Sequence, residues 1–127
     1  MRDHDIRQAL HASELNAHRE EPDTLVLDEL GICQGDFRVD IAVVNGSLHG
    51  IEIKSDRDTL NRLPLQAEAY SRVFDTMCIV AGSTHISRIA AMVPDWWTLR
   101  VAVGGPGGVT FKDVRHGANN QDVDSAA

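Results

Sequence analysis

The chain has 127 residues, 43% hydrophobic and 24% charged, which is the make-up of one globular domain with a single core. Its formal charge is −7, with ten arginines and only two lysines, Lys54 and Lys112, so it has no general basic face and any nucleic-acid role must rest on a local site. No apolar run approaches the roughly 20 residues of a membrane span, the charged start MRDHDIRQAL is not a secretory signal, and Cys33 and Cys78 fit no zinc spacing. Together these predict a cytoplasmic chain with reduced thiols and no membrane partner.

Over residues 3–18, Ile6, Ala9, Leu10, Ser13 and Ala17 recur at three- and four-residue steps, which predicts one amphipathic helix. Glu20-Glu21-Pro22-Asp23 ends it. Residues 24–27 read as a short strand entering Asp28-Glu29-Leu30-Gly31. Residues 37–44 and 48–55 are two strands around Asn45-Gly46, a hairpin signal. Residues 58–74 are helical, and Pro64 either kinks that helix or starts a second segment near Leu63. Residues 77–81 form an all-apolar strand suited to the centre of a sheet. Residues 85–92 are a short helix stopped by Pro94, and 97–103 with 109–114 make a second hairpin around a glycine-rich turn. The order is α-β-β-β-α-β-α-β-β, a mixed β-sheet flanked by helices in one α/β domain over residues 1–115. Residues 116–127 are almost without apolar side chains and are expected to be disordered.

The first hairpin carries the chemistry. Strand side chains alternate between faces. Val39, Ile41 and Val43 are expected to share one face with Ile51 and Ile53, which places Asp40, Glu52 and Lys54 together on the other. A two-residue turn at Asn45-Gly46 gives paired numbers an odd sum and breaks this phasing. A three-residue loop with Gly46 left-handed, a G1 bulge, gives an even sum and restores it. Two carboxylates close together raise one another's pKa unless a cation lies between them. Oxygen ligands suit Mg²⁺ or Mn²⁺, with Asp40, Glu52 and the Ile53 carbonyl as ligands. Lys54 then holds or helps deprotonate the water that attacks phosphorus.

Asp40, followed by Glu52-Ile53-Lys54 on the next strand, resembles the PD-(D/E)XK motif of restriction-endonuclease-like nucleases, with Val39 where the motif's name has proline. The element order over residues 3–82 is similar to that family's α-β-β-β-α-β core. Glu29 matches the acid that many members place ahead of the motif as a further metal ligand. Gln66 and Tyr70, in Gln66-Ala67-Glu68-Ala69-Tyr70, match the QxxxY helix motif. The rest, including Trp96-Trp97, resembles small stand-alone bacterial members. The resemblance implies a restriction-endonuclease-like core and a Mg²⁺- or Mn²⁺-dependent deoxyribonuclease. Asp40, Glu52, Lys54, Gln66 and Tyr70 would be its catalytic residues.

Other residues are read more plainly. Asp56 and Asp58 are expected to cap the following helix. Arg57, Arg62 and Arg72 face phosphate or solvent, and His49 is structural. His4, His11 and His18 are spaced about 10 Å per seven-residue step along a helix and share no metal. Trp96 and Trp97 belong to the core or to an interface rather than to base stacking. The expected substrate is DNA, branched or single-stranded forms included, with a homodimer through the second hairpin to supply two cuts. The rivals are a catalytically inactive nuclease-fold module for nucleic-acid binding or assembly, and a ribonuclease or toxin-type nuclease.

Overall fold

The computed structural model describes residues 1–120. Helices α1 (Asp3–Ala12) and α2 (Glu14–Glu20) precede β1 (Leu25–Ile32), a 3-10 turn at Cys33–Gly35, β2 (Phe37–Val44) and β3 (Leu48–Lys54). Then come α3 (Leu63–Val73), β4 (Thr76–Ala81), α4 (Ile86–Ala90), β5 (Thr98–Gly105) and β6 (Gly108–Arg115). The six strands lie in one sheet in sequence order. β1, β2 and β3 run antiparallel, β3–β4 and β4–β5 are parallel, and β5–β6 is antiparallel. This is a mixed α/β sheet with helices on both faces. Ile6, Leu10 and Leu15 of α1 and α2 bury against Ile41, Val43, Ile51 and Ile53. Leu63, Ala67 and Tyr70 of α3 and Ile89 of α4 bury on the other face against Ala42, Ile79 and Leu99.

The first hairpin keeps the expected even-sum register: Val44 faces Leu48 and Ile41 faces Ile51. Its loop has three residues, with Gly46 at φ 93°. Only a residue without a Cβ adopts that φ cheaply. The phasing fails at one position. Val39 packs in the α3 cluster, not with Ile41 and Val43. The cause lies at Asp40, which has no Cα partner on β1 or β3, while Glu29 opposite takes a left-handed φ of 55°. The strand turns there, and alternation does not carry across the break.

Two further expectations are corrected, and two left open are resolved. The first helix is two, because Ser13 leaves helical geometry at φ −113° and ψ −107° and its hydroxyl donates to the Ala9 carbonyl at 2.7 Å. Such back-bonding by serine competes with the helical ladder. The break turns Leu15 into the core and leaves Ser13 and Ala17 exposed. Pro64 starts α3 in its first turn, where its missing N–H costs nothing. Asp58 therefore lies too early to cap α3. Its carboxylate accepts instead from the Ser55 N–H at 2.8 Å and its hydroxyl at 3.1 Å. Trp97, expected in the core or at an interface, lies in the core: it is fully buried and stacks on Tyr70 at 6.3 Å.

Residues 116–120 are docked, contrary to the expected disorder; the remainder of the expected tail, 121–127, lies outside the described residues. The Gly117 and Ala118 N–H groups donate to Thr98 Oγ1 at 3.0 Å and to the Trp96 carbonyl at 2.9 Å. Asn120 donates through its side chain to the Ser71 and Phe74 carbonyls at 2.6 and 3.1 Å. A Cβ on Gly117 would lie 2.1 Å from the Trp96 carbonyl oxygen. Gly117→Ala is therefore expected to lift this segment and lower stability by about 1–2 kcal/mol in urea unfolding, the worth of the hydrogen bonds lost.

Candidate active site

The site lies where β2 and β3 part. Their backbone pairing ends at Ile41 and Ile51. Beyond that point the Ile53 N–H donates to Asp40 Oδ2 at 2.7 Å, so a side chain takes the place of a backbone acceptor. The opened wedge is a polar cleft of about 360 Å³ lined by Glu29, Asp36, Arg38, Asp40, Glu52 and Arg62 among others. Glu52 and Lys54, two apart on β3, point into the α3 side and are nearly inaccessible, at 4% and 8% exposure.

One network joins the α3 motif to the β3 motif. Lys54 Nζ donates to Gln66 Oε1 at 2.8 Å and lies 3.4 Å from Glu52 Oε2. Gln66 Nε2 reaches the same Oε2 at 3.5 Å. The Tyr70 hydroxyl lies 2.9 Å from the Arg38 carbonyl and 3.1 Å from Glu52 Oε1. Gln66 and Tyr70 are four residues apart on α3, so both face the sheet from one side of the helix. Among the described residues no hydrogen bond joins Asp40 to Glu52 or Lys54; Asp40 and Glu52 both line the cleft, and Lys54 lies behind Glu52 and Gln66 outside that lining.

Burial dominates the electrostatics. It pushes the Glu52 carboxyl up to about 8, with the Asp40 charge adding to it and Lys54 and Tyr70 opposing. Asp40 is also raised, by burial first, against the pull of the Ile53 N–H and Arg7. Burial, followed by the Glu52 charge, raises the Tyr70 phenol as well.

The residue missed in the sequence is Arg7. From α1 its guanidinium donates to Asp40 Oδ1 at 2.9 Å and to the Asp40 carbonyl at 3.0 Å. It also reaches Asp28 and Glu29, each at 3.3 Å, and Asp3 at 3.4 Å. Burial alone would lower its pKa, and Asp40, Asp3 and Glu29 more than offset that. The only signal in the chain was the i,i+4 spacing of Asp3 and Arg7. Glu29 lines the cleft, whereas Asp28 turns to the α1 side and meets His11 at 2.9 Å. His49 is structural, held between Thr76 Oγ1 at 2.7 Å and Asn45 Oδ1 at 3.0 Å. Among the described residues no three Asp, Glu, His or Cys side chains gather closely enough to bind a metal by themselves.

The sequence profile of the family described as Bacteriophage P4 protein cII matches residues 3–127. The chain belongs to that family. Protein cII of Enterobacteria phage P4 is 34% identical over 71 residues, which is 56% of this chain and 27% of that protein. The chain thus aligns with about a quarter of the length of that cII relative. In three dimensions the cII-family domain is similar to SPO1766, a protein of unknown function from Silicibacter pomeroyi. The TM-score is 0.57 at 18% identity, over 91% of this chain and 73% of the other, a likeness of fold. No helix among the described residues is long and apolar enough to cross a membrane.

Two outcomes are expected. Arg7→Ala leaves Asp40, whose side chain is 15% exposed, without its counter-charge, and is expected to cost about 1–3 kcal/mol in chemical unfolding. Glu52 keeps its proton in the folded chain up to about pH 8, while the unfolded chain releases it near the ordinary 4.5. The folded state therefore binds more protons across that window. This stabilisation is complete below the lower value and is lost as pH rises through the higher one. Between about pH 5 and about pH 8 the wild-type protein is expected to lose about 2–4 kcal/mol through this group, and Glu52→Gln to show a flatter stability profile.

Proposed function

We propose that the cleft hydrolyses phosphodiester bonds in DNA with Mg²⁺ or Mn²⁺, on a restriction-endonuclease-like core of the PD-(D/E)XK type. The observation that carries this is the buried Lys54–Gln66–Glu52–Tyr70 network facing Asp40 across the opening between β2 and β3. The donor chemistry fits a hard divalent ion. Asp40, Glu52 and the Ile53 carbonyl would hold it; Glu29, expected to support it, lines the same cleft but is paired to Arg7 and does not join them as a third gathered carboxylate. A carboxyl as buried as Glu52, beside a second carboxylate, keeps its proton until a cation offsets both charges. Bound there, such an ion would supply Lewis-acid chemistry, polarising a phosphate and making water easier to deprotonate.

The remaining work falls to the chain. Lys54 orients the attacking water through an ammonium that Gln66 holds in place. Tyr70 fixes Glu52, and the Ile53 N–H fixes Asp40. Arg7 pairs with Asp40, so that Asp40 is not left as a lone buried charge, and shares its single positive charge with Asp3, Asp28 and Glu29. A catalytically inactive nucleic-acid-binding module is the rival, and one observation favours it: Asp40 already has a cation in Arg7.

Cleavage of labelled duplex, branched and single-stranded DNA and of RNA, each with Mn²⁺, tests the proposal and its substrate class. Lys54→Ala is expected to cut the rate by about 100-fold or more while the protein remains folded; an unchanged rate overturns the mechanism. Mn²⁺ is expected to raise the melting temperature of wild type and not of Asp40→Ala, by ligand linkage. The inactive module shows neither cleavage nor that metal-dependent gain.

A further inference from the structure

We infer that Arg38 and Arg62 form a phosphate-binding pair at the mouth of the cleft, seating the backbone of a nucleic-acid strand. The choice of a nucleic acid as the anion rests on the proposed function; the anion site itself rests on how the cations around the cleft are employed.

Two of the four cationic groups there are spoken for. Arg7 is bound to four carboxylates, and Lys54 to Gln66 and Glu52. Arg38 and Arg62 both line the cleft and both are exposed. Neither side chain has a hydrogen bond or ion pair among the described residues, although Glu29, Asp36, Asp40 and Glu52 line the same cleft. The oxygens of Asp40 and Glu52 are already engaged by the Ile53 N–H, Arg7, Tyr70, Gln66 and Lys54. Two planar forks of donors are thus left facing solvent beside buried carboxylates, and that geometry suits phosphate oxygens.

Their backbones, by contrast, are anchored to the site. The Arg38 carbonyl lies 2.9 Å from the Tyr70 hydroxyl, which also touches Glu52. The Arg62 carbonyl accepts from the Gln66 N–H at 3.0 Å, one turn before the glutamine that holds Lys54. The Arg62 charge is felt at the Tyr70 hydroxyl. Fixed backbones with uncommitted heads bring a strand to the acids without lending those acids a permanent partner. They also answer the difficulty posed by a chain of net charge −7, by confining attraction to one place.

Fluorescence anisotropy of labelled single-stranded and duplex DNA, titrated in EDTA over a series of NaCl concentrations, tests the pair without metal or turnover. Arg38→Gln/Arg62→Gln, which keeps much of each aliphatic stem, is expected to bind about tenfold more weakly at low salt. The slope of log affinity against log salt is expected to fall by about one for each arginine removed. Arg57→Gln, exposed and outside the cleft lining, should bind as wild type. An unchanged slope and affinity in the double variant overturns the inference, as does a wild-type protein that binds neither probe. Mn²⁺-dependent cleavage by the same wild-type protein separates this from the nuclease proposal. Cleavage with arginine-independent binding removes only the pair, and arginine-dependent binding without cleavage removes only the nuclease.

Discussion

The Asp40 carboxylate does the work of a missing backbone carbonyl. Two antiparallel strands cannot both stay hydrogen-bonded and open a cleft between them, since every buried N–H left without a partner is costly. Here β2 and β3 separate after Ile41 and Ile51, and the Ile53 N–H that loses its ladder partner is taken by Asp40 Oδ2. Glu29, left-handed on the neighbouring strand, marks the same lapse in the sheet from the other side. The parting of the strands, the pairing of the freed amide and the aim of the first carboxylate are therefore one event.

Around that event the charges are arranged by depth. The buried acid Glu52 is met by neutral or short-range donors, Tyr70 and Gln66, and by one lysine drawn in close. The acids nearer the surface, Asp3, Asp28 and Glu29, share a single arginine from α1 with Asp40. One guanidinium among four carboxylates leaves these outer acids with net negative charge. Arg38 and Arg62 stay outside this exchange, and so the cleft holds engaged carboxylates beside two guanidinium groups with no hydrogen-bond partner among the described residues.

Much of the site was legible in the chain because its signals are local. Hairpin phasing around Asn45-Gly46 located Glu52 and Lys54 on one face, and a four-residue helical step placed Gln66 and Tyr70 together; the pairing of Val44 with Leu48 and the Lys54–Gln66 contact bear this out. Val39 was misplaced because strict alternation assumes an unbroken strand, and the break at Asp40 depends on β1 and β3 together. Leu15 was overlooked for a similar reason: the bend at Ser13 moves the buried face of the helix, and periodicity read across a bend points the wrong way.

The sequence alone determined the order of strands and helices from β1 onward, the faces of β3 and α3, and the oxygen-rich character of the site, because each depends on residues within one or two turns or a single hairpin. Tertiary structure decided the rest: Arg7 crosses from α1 to Asp40, residues 116–120 dock on β5 and α3, and a cation is held back or committed according to which acids reach it first. Those outcomes turn on distances between segments far apart in the chain, and no local spacing encodes how the sheet brings such segments within a few ångströms.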